Sequence, residues 1–381
     1  MEVRRAGRAC EPRALLPGTV RGGVPAGGAS VRRRPEGGPG AQPRSGRRHR
    51  VAPHRARRAG ERGARCARRP HDLHGRTGGG GGRKRVKIAN APCSWGTIEN
   101  VPGARIGYAQ VLDELAETGY VGTELGDVGF MPDDPEALRD ALTSRSLEMV
   151  GSWVTVGLRD RERHDEGLKR AVHIARLLRA VGGPTAVVNL GDDHSTDPVR
   201  TQRAGRIDAT SSVSDDDLAV IVEGVERIAA AVRDETGLRT GLHHHGGSFI
   251  ETPREVQAFL DRADPDLVHL VFDSGHWTLG GGDAAIGLDR HYDRVQLVHV
   301  KDFDPTVLAR ADAEGWGYPD LVAHGVFPEL GRGVVDFAAL FTLLERRGYD
   351  GWIVVEQDVV PGLGTPKESA ARNRAYLSRF G

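Results

Sequence analysis

From Val86 onward, short apolar runs alternate with stretches whose apolar positions recur every three to four residues. This is the rhythm of strands and amphipathic helices in alternation. The runs VKIANA (86–91), VGTEL (121–125), EMVGSWV (148–154), TAVVNL (185–190), LRTGLH (238–243), LVHLVFD (267–273), VQLVHV (295–300) and WIVVE (352–356) predict eight strands. Helical patterning predicts helices over 108–117, 135–144, 167–181, 215–234, 253–261, 283–291, 336–347 and 367–379. Near-continuous apolar strands are those buried on both faces of a parallel sheet, and eight βα units in the 296 residues from Val86 to Gly381 match one (β/α)8 TIM barrel. A doubly wound sheet would want a glycine-rich phosphate turn after its first strand, and NAPCSWG (90–96) is not one.

The polar residues collect where these strands end. GLHHHGGSFIET (241–252), LVFDSGHWTLGGGD (270–283), LVHVKDF (297–303) and GWIVVEQD (351–358) each pass from an apolar run to a cluster of His, Asp, Lys or Glu. Strand ends on one side of a barrel converge, so His243, Asp273, His299 and Glu356 form a candidate metal set. Two carboxylates and two neutral imidazoles balance a divalent cation. With no thiolate present, Mn2+, Co2+, Zn2+, Fe2+ and Mg2+ all remain compatible. Side-chain alternation puts His245 on the face of His243, and Lys301 on that of His299. Glu124, His276 and Lys301 are the candidate proton-transfer groups. Trp95, Trp153, Asn189, His245 and Trp277, at or just past strand ends, are the candidate substrate-binding walls. Two long connections, 191–215 and 302–333, fall on the same face and are candidate lids, with Gly331 and Gly333 as hinges.

Charge divides the chain near Val86. Residues 1–85 carry 23 Lys and Arg against 5 Asp and Glu, and residues 86–381 carry 30 against 47. The first segment is Arg, Gly, Pro and Ala with few branched apolar residues, so it is expected to be disordered. Its composition reads as GC-rich DNA translated upstream of a start at Val86 or a neighbour; a nucleic-acid-binding tail and a transit peptide are the other readings. A barrel with a net charge of −17 repels nucleic acid, which weighs against an abasic-site nuclease. Three scattered cysteines, and the lack of a signal peptide or of an apolar run near the ~20 residues that span a bilayer, point to a cytoplasmic protein.

The motifs HHHGGSFIET (243–252), DPDLVHLVFDSGHWTLGGGD (264–283), VHVKDF (298–303), GVFPELGRGVVDF (325–337) and YDGWIVVE (349–356) resemble the xylose isomerase-like barrels. Within them they resemble most the inosose (2-keto-myo-inositol) dehydratases. GYVGTELGDVGFMPDD (119–134) and IANAPCSWG (88–96) are weaker echoes. The resemblance spans about residues 86–381 and places the family's metal ligands on Asp273, His299 and Glu356. His243 stands where the isomerases carry a fifth-strand glutamate, a departure shared with the dehydratases. What it implies is a metal-dependent loss of water from a cyclic keto-polyol through an enediolate, with sugar isomerisation or epimerisation by the same enediolate as the alternative. The partner implied is a small keto-sugar or polyol, with no nucleic acid and no membrane. Such barrels often pair as homo-oligomers.

Overall fold

The computed structural model describes residues 86–96, 106–194, 196–358 and 364–380; the segment 1–85 lies outside the described residues. Eight strands, β1 (Lys87–Asn90), β2 (Gly122–Glu124), β3 (Glu148–Val156), β4 (Val187–Asp192), β5 (Arg239–His243), β6 (Val268–Asp273), β7 (Val295–Val300) and β8 (Trp352–Val355), pair in parallel in chain order. β1 closes on β8, from Lys87 opposite Trp352 to Asn90 opposite Val355. The TIM barrel is therefore complete, and every predicted strand exists within two residues of its predicted bounds.

Twelve α-helices surround it among the described residues: α1 (Tyr108–Glu117), α2 (Pro135–Thr143), α3 (His164–Val181), α4 (Pro198–Arg203), α5 (Asp215–Thr236), α6 (Pro253–Arg262), α7 (Ser274–Leu279), α8 (Ala284–His291), α9 (Pro305–Glu314), α10 (Tyr318–Ala323), α11 (Phe337–Arg347) and α12 (Pro366–Leu377). The starts are written locally. Asp134 accepts from Ala137 N–H before α2, and Thr252 with Glu255 and Thr365 with Glu368 form capping boxes before α6 and α12.

Two apolar layers follow from strand alternation. One small cluster holds Ala89, Ala91, Val150, Val187, Val271, Leu297 and Val354. Several of these share a strand face with a site residue two positions on: Val187 with Asn189, Val271 with Asp273, Leu297 with His299, Val354 with Glu356. They fill the barrel and form the floor on which the polar ends stand. The other layer is the large cluster between sheet and helices.

The two long connections hold helices that the periodicity did not reveal. α4 lies in the first, and α9 and α10 in the second; α4 and α10 have only six residues each, too few to display a period. The connections are tied to each other: Arg206 donates to Asp312 Oδ1 (2.7 Å) and to the Trp316 carbonyl (2.7 Å), and Gln202 to the Gly315 carbonyl (3.1 Å). Gly331 and Gly333 are not hinges. Both N–H groups donate to Asp302 Oδ2 at 2.8 Å, and a Cβ on Gly331 would lie 2.2 Å from the Tyr376 ring. The turn is pinned by a buried carboxylate and packed against α12.

Candidate metal centre and its surroundings

β5, β6 and β7 and the residue after β8 deliver His243, Asp273, His299 and Glu356 to one point. One ligand atom from each lies within 4.8 Å of all the others. Two ligands on opposite sides of an ion at about 2.2 Å are ~4.4 Å apart, so the cluster is already near the size of a single-ion site. His243 Nε2 lies 3.2 Å from His299 Nδ1 and 3.9 Å from Asp273 Oδ2, and His299 Nδ1 lies 2.9 Å from Glu356 Oε1. Asp273, His243 and His299 are buried.

Asp273 divides its two oxygens. Oδ1 caps α7 by accepting from His276 N–H at 2.7 Å, and Oδ2 faces the cluster, buried with no hydrogen-bond partner among the described residues. An orphaned carboxylate oxygen in a buried site is costly unless a cation meets it, which is the clearest mark that the residues fit a metal. Burial pushes the Asp273 carboxyl up from its ordinary value, against the pull of Lys301. Burial lowers His243 strongly, leaving a neutral imidazole suited to ligation. His299 is opposite: against burial, the Glu124 and Glu356 carboxylates raise it well above the ordinary range.

Glu124 closes the ring of charge. Its Oε1 faces His299 Nε2 at 3.2 Å and accepts from Asn189 Nδ2. The register shift between Thr123 and Glu124 sits at the residue that is re-aimed. A histidine whose Nε2–H is held by a carboxylate presents Nδ1 to the metal, the usual support for a ligating imidazole.

Lys301 is the one ammonium in this group. Against burial, Asp358, Glu356 and Asp273 raise it well above its ordinary value, and its Nζ lies 3.0 Å from Glu356 Oε2 and 3.7 Å from Asp358 Oδ2. Ser274 Oγ braces its backbone, donating to the Lys301 carbonyl at 2.7 Å and accepting from its N–H at 3.0 Å. His276 Nε2 is 3.4 Å from Lys301 Nζ, and Gly246 N–H donates to His276 Nδ1 at 3.2 Å. His276 is one of the candidate proton-transfer groups. Burial, with His245 and Lys301 adding to it, drives it well below its ordinary value, so it is a neutral imidazole with Nε2–H directed at the same space as the ammonium.

Of the expected walls, Trp153 lies over the cluster, its ring 5.0 Å from His243 and edge-on at 85°. His245 packs on His276 with centroids 3.9 Å apart. Asn189 is buried and reaches Glu124 rather than open space. Trp95 and Trp277 are not brought to the cluster. Trp95 Nε1 donates to Glu114 Oε2 on α1 at 2.7 Å, and Trp277 packs on Phe272 and His291 at 5.1 and 5.5 Å. Each stands just past a strand end, where the chain has already turned outward into the helix layer. His244 also faces that layer, against Phe272 and Trp277, as alternation requires.

The sequence reading missed four residues of the site. Asp358 pairs with Lys301, Phe327 lies 4.8 Å from the Lys301 ammonium, Tyr318 Oη is 3.3 Å from His245 Nε2, and the His194 ring is 4.5 Å from that of His245. Only Asp358, two residues past Glu356 on the same face, carried a usable signal. The others come from long connections whose path back over the barrel is not written in periodicity.

Residues 112–379 match the family model described as xylose isomerase-like TIM barrel. The chain is 34% identical over 297 residues to inosose dehydratase of Geobacillus kaustophilus strain HTA426, covering 77% of this chain and 94% of that protein. It is 31% identical over 300 residues to inosose dehydratase of Erwinia tasmaniensis, covering 77% and 97%. Among solved structures it is similar to the IOLI protein with a bound zinc atom, with a TM-score of 0.59 and 14% identity over 78% of this chain and 99% of that one, a likeness of fold.

Proposed function

The chain belongs to the xylose isomerase-like TIM barrel family, and from that premise we propose that it is a metal-dependent carbon–oxygen lyase that removes water from a cyclic keto-polyol of the 2-keto-myo-inositol type. The observation that carries this reading is the convergence of His243, Asp273, His299 and Glu356 on one buried point, with Asp273 Oδ2 left unpartnered. The curated relatives, matched over nearly their whole length, are named for that reaction. The His243 position agrees, since it departs from the isomerases' glutamate.

His243, Asp273, His299 and Glu356 would hold a divalent ion, which would supply Lewis-acid polarisation of the substrate carbonyl and so acidify the adjacent C–H. The chain's own groups then divide the proton transfers. Glu124 engages His299 and Asn189 through Oε1 alone, and Oε2 is the oxygen we assign to take the proton from carbon. His276 Nε2–H and the Lys301 ammonium are two donors 3.4 Å apart, an arrangement that suits one shared acceptor, a substrate oxygen. Lys301 is assigned the transfer of a proton to the departing β-hydroxyl, so that the C–O bond breaks with water as the leaving group. Mn2+ or Co2+ is the ion we favour, acting in inositol breakdown in a reducing, cytoplasmic setting. Among the described residues no helix is long and apolar enough to cross a membrane.

The test uses the full chain, stripped of metal and reloaded with Mn2+, Co2+ or Zn2+ in turn, with 2-keto-myo-inositol as substrate. Metal-dependent loss of water by mass, with dione absorbance appearing in the ultraviolet, is the expected result. Constant mass with solvent deuterium entering the substrate would mean enolisation without elimination, and the isomerase or epimerase reading would replace this one.

A further inference from the structure

The metal cluster accounts for the strand ends but not for His194. This residue follows β4 at the start of the first long connection, and its Nδ1 is buried with no hydrogen-bond partner among the described residues. Its ring lies 4.5 Å from His245, 6.0 Å from Tyr318 and 6.3 Å from Trp153. His245 continues the column downward, 3.9 Å from His276 and 6.0 Å from the ligand His243.

His245 Nδ1 lies 2.8 Å from the Gly246 carbonyl, which only accepts, so Nδ1 carries the hydrogen and Nε2 the lone pair. Tyr318 Oη therefore donates to His245 Nε2 across 3.3 Å, and the Tyr318 oxygen keeps lone pairs to accept with. Trp153 stands at the side, edge-on to His243 and 5.6 Å from His245. Three segments distant in sequence thus present an open imidazole nitrogen, a hydroxyl oxygen and an indole beside the metal cluster.

We propose that His194 and Tyr318, with His245, form a hydroxyl-recognition subsite, and that His194 determines specificity for a ring hydroxyl of the substrate remote from its ketone. The proposal rests on the keto-polyol reading and names where that substrate's far side is held. A neutral imidazole offers one donor and one acceptor, the same pair a hydroxyl offers. His245 is a neutral imidazole by its bonds, with a hydrogen on Nδ1 and a lone pair on Nε2, and burial lowers His194, so neither provides the charge that a phosphate ester or carboxylate would draw on. The nearby Lys301 ammonium is already matched by Glu356 and Asp358. The subsite therefore suits an uncharged polyol over a phosphorylated one. A site built to bond a hydroxyl rejects the analogue lacking it far more strongly than an apolar pocket does.

The experiment compares wild type, His194→Gln and His194→Phe as full-length, metal-loaded proteins. Kinetics are taken on 2-keto-myo-inositol and its singly deoxygenated ring analogues, and calorimetry follows myo-inositol binding. The expected result is a KM about tenfold higher in His194→Phe, with the loss falling on KM rather than kcat. One analogue that wild type discriminates against becomes equivalent to the parent in this variant, His194→Gln is intermediate, and metal content is the same in all three. An unchanged KM, or the same discrimination against every analogue in wild type and both variants, overturns the subsite. If wild type fails to turn over the ketone, the dehydratase reading falls, and binding still judges the subsite: weaker myo-inositol binding in His194→Phe supports it, while equal or absent binding overturns it.

Discussion

His243 Nε2 faces His299 Nδ1 at 3.2 Å, while His299 Nε2 is turned to Glu124 at 3.2 Å. Two imidazole lone pairs at that distance repel unless a proton or a cation lies between them. Against burial, the Glu124 and Glu356 carboxylates raise His299 well above its ordinary value, favouring a positive charge at this point. A divalent ion takes the proton's place with twice its charge.

Metal should therefore stabilise the fold as well as activate it. At a free concentration of a hundred times Kd, binding to the native state alone adds about 2.7 kcal/mol. Thermal unfolding of the full chain with Mn2+, Co2+ or Zn2+ against chelator should show this rise in wild type. Asp273→Ala and Glu356→Ala should fold, show no rise, and have little turnover. Full activity or a wild-type rise in either variant would remove that residue from the ligand set.

Glu124→Gln tests the support of His299 from behind. The amide oxygen still accepts the Nε2–H, but the negative charge is gone. Loss of such support weakens metal affinity by roughly 10–100-fold. Competition with a chromophoric chelator measures this directly, and an unaltered affinity would show that Glu124 does not act through His299.

The barrel was legible because its signals are local and repeated: apolar runs of strand length and helical periods between them. The clustering of His243, Asp273, His299 and Glu356 was legible because a strand end is a position in sequence as well as in space, and the β5 to β8 ends meet by topology. Trp95 and Trp277 show where that inference weakens. One or more residues beyond a strand end the chain turns, and a tryptophan there packs outward as readily as inward. His194, Tyr318 and Phe327 belong to connections that cross back over the mouth through contacts such as Arg206 with Asp312, and no local pattern encodes that return.

Gly191→Ala addresses the wall over the cluster. A Cβ there would lie 2.1 Å from the Trp153 ring, so the indole must move or the β4 backbone must. Overpacking of this kind costs about 1–3 kcal/mol. The displaced ring would leave His243, so KM should rise while bound metal stays near wild type. Unchanged KM together with unchanged stability would mean that Trp153 has room to shift without consequence.

Arg200 and Glu255 form a fully buried bidentate pair at 2.8 and 3.0 Å, and Arg200 also donates to the Ser248 and Ser211 carbonyls, both at 2.8 Å. Burial alone would raise the Glu255 carboxyl, but Arg200 outweighs it and lowers the group from its ordinary 4.5. A depressed acid contributes stability above its unfolded value and loses it as pH falls through the lower folded value. Arg200→Met removes that pull and leaves burial opposed by N–H groups such as those of Thr252 and Val213, so the carboxyl rises from its wild-type value and the stability gained on ionising it shrinks. The variant should lose about 3–5 kcal/mol near neutral pH, because one member of a buried pair is left unmatched. The gap should narrow as pH falls toward about 4, where the advantage of the wild-type carboxylate over the variant's fades. Urea unfolding at about pH 4 and about pH 8 reads both values. A gap that does not change with pH would mean that Arg200 supports the β4 connection through its carbonyl bonds and packing, not through its charge.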